Sequence, residues 1–140
     1  MQVRFAVIAD YCNRTAEGKL NIMGIFGTIM SHEFPASHPN LHLVVGCFAS
    51  PLDYGKQYDS VIQFRDADGA KLNEMKFPVK VQPVEEANFN FNLRNLPIPG
   101  PGDYVFDIAI GDCRTQVPVQ ARRAGKGKGK GKGRGKGKQD

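Results

Sequence analysis

Apolar and polar residues alternate along most of residues 1–121, and no segment follows the spacing of an amphipathic helix. Residues 88–93 (NFNFNL) alternate strictly, and residues 104–110 (YVFDIAI) do so as well. Residues 41–48 (LHLVVGCF) are rich in β-branched and apolar side chains, which is typical of a central strand. An Asp-Gly step at residues 68–69 lies between two alternating runs and indicates a hairpin. The pattern predicts eight or nine short strands without crossover helices.

Strands of this number and spacing favour an all-β fold, an antiparallel two-sheet sandwich, over any α/β fold. A Pro/Gly-rich segment, residues 96–103, leads to Tyr104 at the start of a late strand. This arrangement resembles a tyrosine corner, in which the phenol bonds to upstream backbone, and it favours an immunoglobulin-like sandwich. Residues 13–18 are predicted to form the first turn, and the proline-containing residues 31–40 are predicted to form a loop.

Charge divides the 140-residue chain into two parts. Residues 1–121 contain ten basic and 13 acidic residues, a net charge of −3, whereas residues 122–140 contain nine basic residues and one acid, a net charge of +8. Glycine alternates with lysine or arginine from residue 125 onward, so this part has no apolar face to bury. We therefore predict a sandwich domain over residues 1–121 and a disordered basic tail over residues 122–140.

The tail is expected to bind nucleic acid or another polyanion without sequence preference, because lysines spaced by glycine contact phosphates but cannot read base edges. The alternative interpretation is a tolerated dipeptide repeat that adds solubility. The candidate polyanion-binding residues are Arg122, Arg123, Lys126, Lys128, Lys130, Lys132, Arg134, Lys136 and Lys138.

No catalytic constellation, metal-ligand set or cofactor motif is recognised in the sequence, so we expect a protein that is not an enzyme and carries no cofactor. Surface imidazoles and buried thiols are the expected roles of the histidines and cysteines: His32, His38, His42, Cys12, Cys47 and Cys113. An odd number of widely spaced cysteines, no signal-peptide pattern and no apolar stretch near 20 residues predict a cytoplasmic protein without a membrane span.

Five short motifs carry a resemblance to a known family: ADYCN (residues 9–13), GKLNIMGIF (18–26), FPA (34–36), HP (38–39) and PGDYVF (101–106). Over about residues 3–120 the chain resembles an uncharacterised, mostly bacterial family of unknown function. The resemblance implies a β-sandwich and no particular activity. It also directs attention to a polar cluster in or beside the predicted first turn, formed by Asp10, Tyr11, Cys12, Asn13 and Asn21. That cluster is interpreted either as a ligand or partner patch or as side chains that cap turn backbone.

These observations predict a non-enzymatic interaction domain, with an unknown protein partner on the sandwich and a polyanion on the tail. The alternative is a structural subunit of a particle or filament. In that case the sandwich edges pair into a homo-oligomer and the tail faces nucleic acid.

Overall fold

The computed structural model describes residues 1–125, and the predicted tail beyond Gly125 lies outside the described residues. Within residues 1–125 the chain forms nine strands and no helix, which confirms the predicted all-β class, and none of it could cross a membrane as a helix. The strands are β1 (Gln2–Arg14), β2 (Leu20–Phe26), β3 (Thr28–Ser31), β4 (Ala36–Phe48), β5 (Gln57–Asp66), β6 (Lys71–Lys80), β7 (Glu86–Ile98), β8 (Gly102–Ile110) and β9 (Cys113–Arg123).

The strands form a four-stranded sheet in the order β2-β1-β4-β7 and a five-stranded sheet in the order β3-β9-β8-β5-β6. Neighbouring strands are antiparallel except β3 and β9, which are parallel. Strands β4 and β7 occupy the places of strands B and E of an immunoglobulin-like sandwich, and β5, β8 and β9 those of C, F and G. The predicted immunoglobulin-like architecture is therefore confirmed.

The core lies between the inner faces of the two sheets, and β5, β7, β8 and β9 contribute alternate residues to it. Strand β7 follows the alternation seen in the sequence, with Phe89, Phe91 and Leu93 buried. Aromatic rings of the five-stranded sheet meet in the centre, where Phe64 stacks on Tyr104 with ring centroids 5.2 Å apart. The apolar residues whose alternation predicted these strands therefore form the core.

The predicted tyrosine corner is present at the start of β8. The Tyr104 hydroxyl donates a hydrogen bond to the Gly100 carbonyl at 2.5 Å, and the Gly100 amide donates to the hydroxyl at 3.2 Å. The phenol therefore fixes the Pro/Gly-rich crossing between the sheets to the strand that follows it.

Two predicted boundaries differ from the structure. Strand β4 already begins at Ala36, inside the predicted loop, and Pro39 is accommodated because the β4–β7 register has no pair at that residue. Strand β9 continues to Arg123, two residues beyond the predicted domain end, because Ser31 of β3 pairs with Arg123. The Ala124 amide also donates to the Ser31 carbonyl at 2.8 Å, so the ordered backbone extends past residue 121.

Candidate binding surfaces

The β1–β2 hairpin leaves the plane of its own sheet and crosses the outer face of the sandwich. Pairing of β1 with β4 ends at His42, and the rest of β1 pairs only with β2. Two long-range contacts then hold the hairpin on β7: Arg14 Nη2 donates to the Asn88 carbonyl at 2.8 Å, and Asn90 Nδ2 donates to the Cys12 carbonyl at 3.1 Å. The asparagines of β7 thus anchor the hairpin.

The polar cluster picked out by the resemblance lies on the strands beside the first turn, with Asn13 and Asn21 nearest to it. Its first four residues, Asp10, Tyr11, Cys12 and Asn13, belong to β1, and Asn21 of β2 lies directly opposite Asn13. The turn itself falls at residues 15–18, because the β1–β2 ladder continues to the pair of Arg14 and Leu20. Cys12 is buried whereas the other four side chains are exposed, so the structure does not bring all five to one surface.

Asp10 has a packing partner that explains part of the motif. Gly24, opposite it in the hairpin, has φ +72°, and a Cβ built there would lie 2.5 Å from Asp10 Oδ2. The Asp10 side chain therefore occupies the space that any other residue at position 24 would need. This contact gives Asp10 a structural role different from the predicted capping of a turn.

Gly24→Ala is expected to destabilise the protein more than Gly18→Ala. Both glycines have positive φ, so alanine at either position costs about 1–2 kcal/mol of backbone strain. Only Gly24 faces a close neighbour, because nothing lies within 4 Å of a Cβ at Gly18. Urea unfolding should show the larger loss for Gly24→Ala, reduced when Asp10→Ala is combined with it. Equal losses at the two glycines would contradict the role of Asp10.

His42 was expected on the surface and is instead buried, with 6% of its surface exposed. Its side chain points to the outer face of the four-stranded sheet, which the hairpin covers. Nδ1 donates to Asn90 Oδ1 at 2.9 Å, and the ring of Tyr11 meets the imidazole edge-on at a centroid distance of 5.3 Å. Alternation along β4 correctly predicted that His42 faces away from Leu41 and Leu43. No local pattern in the sequence indicated that the β1–β2 hairpin covers this outer face.

A cleft with a volume of about 1090 Å³ lies between the tip of the hairpin, strand β7 and the β6–β7 connection. Apolar side chains and seven charged residues line it; the charged residues are Arg4, Arg14, Lys19, Lys80, Glu17, Glu85 and Glu86. None of these seven forms an ion pair within residues 1–125. Strand β7 has only β4 as a neighbour, so its second edge faces this cleft and is available to an extended chain.

All three cysteines are buried and unpaired, as predicted. Burial, and next the neighbouring Cys113 thiol, raise the pKa of Cys47 to about 12. Burial also raises the pKa of Cys12, opposed by the charge of Arg14. A raised pKa keeps a thiol protonated near neutral pH, whereas a nucleophilic cysteine needs a lowered one. Cys12 and Cys47 therefore have the properties of core thiols.

The two arginines assigned to the start of the tail lie on β9. The Arg123 guanidinium lies 5.4 Å from the centroid of the Phe34 ring, and its Nη1 donates to the His32 carbonyl at 3.0 Å. Arg122 is exposed, and its Nη2 donates to Gln120 Oε1 at 2.6 Å. The other candidate polyanion-binding residues lie outside the described residues: Lys126, Lys128, Lys130, Lys132, Arg134, Lys136 and Lys138.

The two sheets, the tyrosine corner and the hairpin folded over the outer face define an immunoglobulin-like sandwich domain. Residues 4–121 match a family of unknown function, DUF6941, and the chain belongs to that family. A similar solved structure is a β-glucosidase from Listeria innocua in complex with gluconolactone, at 12% identity and a TM-score of 0.46. The match covers 84% of this chain and 16% of the β-glucosidase chain. No curated protein matches the sequence.

Proposed function

We propose that the protein is a non-enzymatic binding module that holds nucleic acid or another polyanion through its basic C-terminal residues and a protein partner through the sandwich. The observation that carries the proposal is the separation of charge: residues 122–140 have a net charge of +8, and residues 1–121 a net charge of −3. A single chain thus presents an anionic domain beside a concentrated source of positive charge.

Counterion release drives this kind of binding. Each lysine that neutralises a phosphate frees a condensed cation, and the gain does not depend on base sequence. Alternating glycine and lysine supplies ammonium groups but no aromatic side chain to stack on a base. The interaction is therefore sequence-independent, and it suits a cytoplasmic protein surrounded by RNA, DNA and other polyanions.

Two residues of the basic set, Arg122 and Arg123, end strand β9. Both are exposed; Arg122 donates to Gln120 Oε1, and Arg123 contacts the Phe34 ring and the His32 carbonyl. Both arginines therefore extend the basic region onto the sandwich, and Arg123 also contributes a packing contact to Phe34. The seven basic residues of positions 126–138 supply most of the charge.

The cleft beside β7 is the proposed place for the protein partner. An extended peptide that pairs with the free edge of β7 would gain main-chain hydrogen bonds, and its side chains would meet apolar and charged groups of the cleft. Arg14 occupies part of this edge through its bond to the Asn88 carbonyl, so it lies at one end of the available strand.

An affinity pull-down tests the polyanion part directly. The full chain, a chain ending at Gly125, and a full-length variant with glutamine at the seven basic positions of residues 126–138 are each used to recover material from a native lysate. We expect nucleic acid with the full chain alone, and its loss after nuclease treatment or at high salt. Recovery by all three proteins would contradict the assignment to the tail. Ending the shorter chain at Gly125 preserves the pairing of Ser31 with Arg123.

A second candidate function, a subunit of a larger assembly, is favoured by one specific observation. Two edge strands, β2 and β3, carry no charged residue and no proline, a composition rare at exposed edges.

A further inference from the structure

One continuous segment forms an edge of both sheets. Strand β2 is the outermost strand of the four-stranded sheet, and β3 is the outermost strand of the five-stranded sheet. Only Gly27 separates them, so residues 20–31 form one continuous free edge, first of the β1–β2 hairpin and then of the five-stranded sheet. We refer to this segment as the neutral edge, because it contains no Asp, Glu, Lys, Arg, His or Pro.

The other two sheet edges differ sharply in composition. Strands β6 and β7 carry the charges and prolines with which proteins prevent unwanted strand pairing. Their edge-protecting residues are Lys71, Glu74, Lys76, Pro78 and Lys80 on β6, and Glu86, Arg94 and Pro97 on β7. The β6 edge is thus protected along its length, and the β7 edge is protected at Arg94 and Pro97, beyond the residues that line the cleft, whereas the neutral edge has no such protection.

Large apolar side chains are exposed beside the neutral edge. Met23 and Ile25 of β2 are 54% and 61% exposed, and they lie two residues apart on one face of the strand. Tyr11, directly opposite Met23 on β1, is 45% exposed. The three side chains form one contiguous patch, and Met30 of β3 adds a fourth exposed apolar group further along the edge. A patch of this kind beside an unprotected strand marks a contact surface.

We propose that the neutral edge pairs with the same edge of a second copy of this chain, β2 against β2 in antiparallel orientation. The β1–β2 hairpins of two protomers would then form one four-stranded antiparallel ribbon, with the Tyr11, Met23 and Ile25 side chains of both copies on one face. Such an isologous contact uses the same residues on both sides and closes at two subunits.

Charge favours a second copy as the occupant. Residues 1–121 carry a net charge of −3, so most of the surface repels another copy, but the neutral edge brings no like charges together. A second copy also supplies the +8 of residues 122–140 to an anionic domain. That basic part follows β9, whose Arg123 is paired with Ser31 at the end of the neutral edge. The contact is therefore free of like-charge repulsion at its centre, and each copy contributes basic residues opposite in sign to the net charge of the other copy's domain.

Sedimentation equilibrium of the full chain tests the proposal, at about 0.5 M salt to screen association through the basic residues. We expect a dimer at concentrations of about 10 μM. Ile25→Lys and Met23→Lys should each raise the dimer Kd about a hundredfold, because a two-fold interface contains the new charge twice. Leu52→Lys is the matched control, since it adds the same charge at an exposed leucine away from the edge, and it should leave the Kd unchanged.

The substituted positions are exposed, so folding should be retained, and thermal unfolding at low concentration checks that it is. A wild-type protein that stays monomeric at about 100 μM would overturn the proposal. Dimers of Ile25→Lys and Met23→Lys as tight as the wild type would also overturn it. An open series of larger species in place of a dimer would exclude the two-fold geometry.

Discussion

Raising the salt concentration from about 50 to 200 mM is expected to weaken binding of the full chain to duplex DNA by about 10³- to 10⁴-fold. Seven basic residues lie between positions 126 and 138. If each neutralises one phosphate, the slope of log K against log salt is about −6. Fluorescence anisotropy with a labelled duplex, repeated over a salt series, measures this slope.

Two controls separate charge from sequence recognition. A duplex of scrambled sequence should bind within about twofold of the first, because backbone contacts carry no base information. The variant with glutamine at the seven basic positions keeps the length of the chain and should lose most of the salt dependence. A slope shallower than about −2, or tenfold discrimination between the duplexes, would be incompatible with a nonspecific electrostatic anchor.

Phe64→Ala is expected to lower the free energy of unfolding by about 3–5 kcal/mol, a large share of the stability of a small domain. The Phe64 side chain is fully buried at the centre of the five-stranded sheet. Its ring lies 5.2 Å from the ring of Tyr104 and 4.8 Å from that of Phe106, centroid to centroid. Alanine leaves a cavity that these rigid neighbours cannot close. The chain has no tryptophan, so urea unfolding is best followed by circular dichroism.

Phe48→Ala is the matched control for this prediction. Phe48 ends β4 and is 48% exposed, and its main neighbour is the Arg4 guanidinium, 5.3 Å from the ring centroid. Its loss should cost about 1 kcal/mol or less. A similar cost for both substitutions would mean that the core is not centred on the aromatic cluster of β5 and β8.

Local patterns in the sequence were sufficient for most of the sandwich. The alternation of residues 88–93 gave the buried face of β7, and the Asp-Gly step gave the β5–β6 turn. The tyrosine corner was recognisable because a Pro/Gly-rich crossing leads directly to Tyr104. Each of these signals arises from residues close together in the chain, and local propensity determines such structures.

The position of the hairpin on the outer face could not be obtained in the same way. It depends on contacts between residues far apart in sequence, such as Arg14 with the Asn88 carbonyl, 74 positions apart. For this reason His42 was expected in solvent and is buried. Asp10 and Asn13 were expected in or beside the first turn and lie on β1, because the β1–β2 ladder continues to Arg14. Alternation identifies the side of a strand on which a residue lies, but not what covers that side.

The most direct test of the proposed function is an equilibrium titration of one labelled duplex with two proteins, the full chain and the chain ending at Gly125, at about 50 mM salt. Both retain every described strand, so any difference in affinity comes from residues 126–140. We predict submicromolar binding by the full chain and no measurable binding by the shorter one. Equal and measurable affinities would mean that the sandwich binds the polyanion. If neither protein binds, polyanion binding is excluded. Either result would contradict the proposed role of the basic residues.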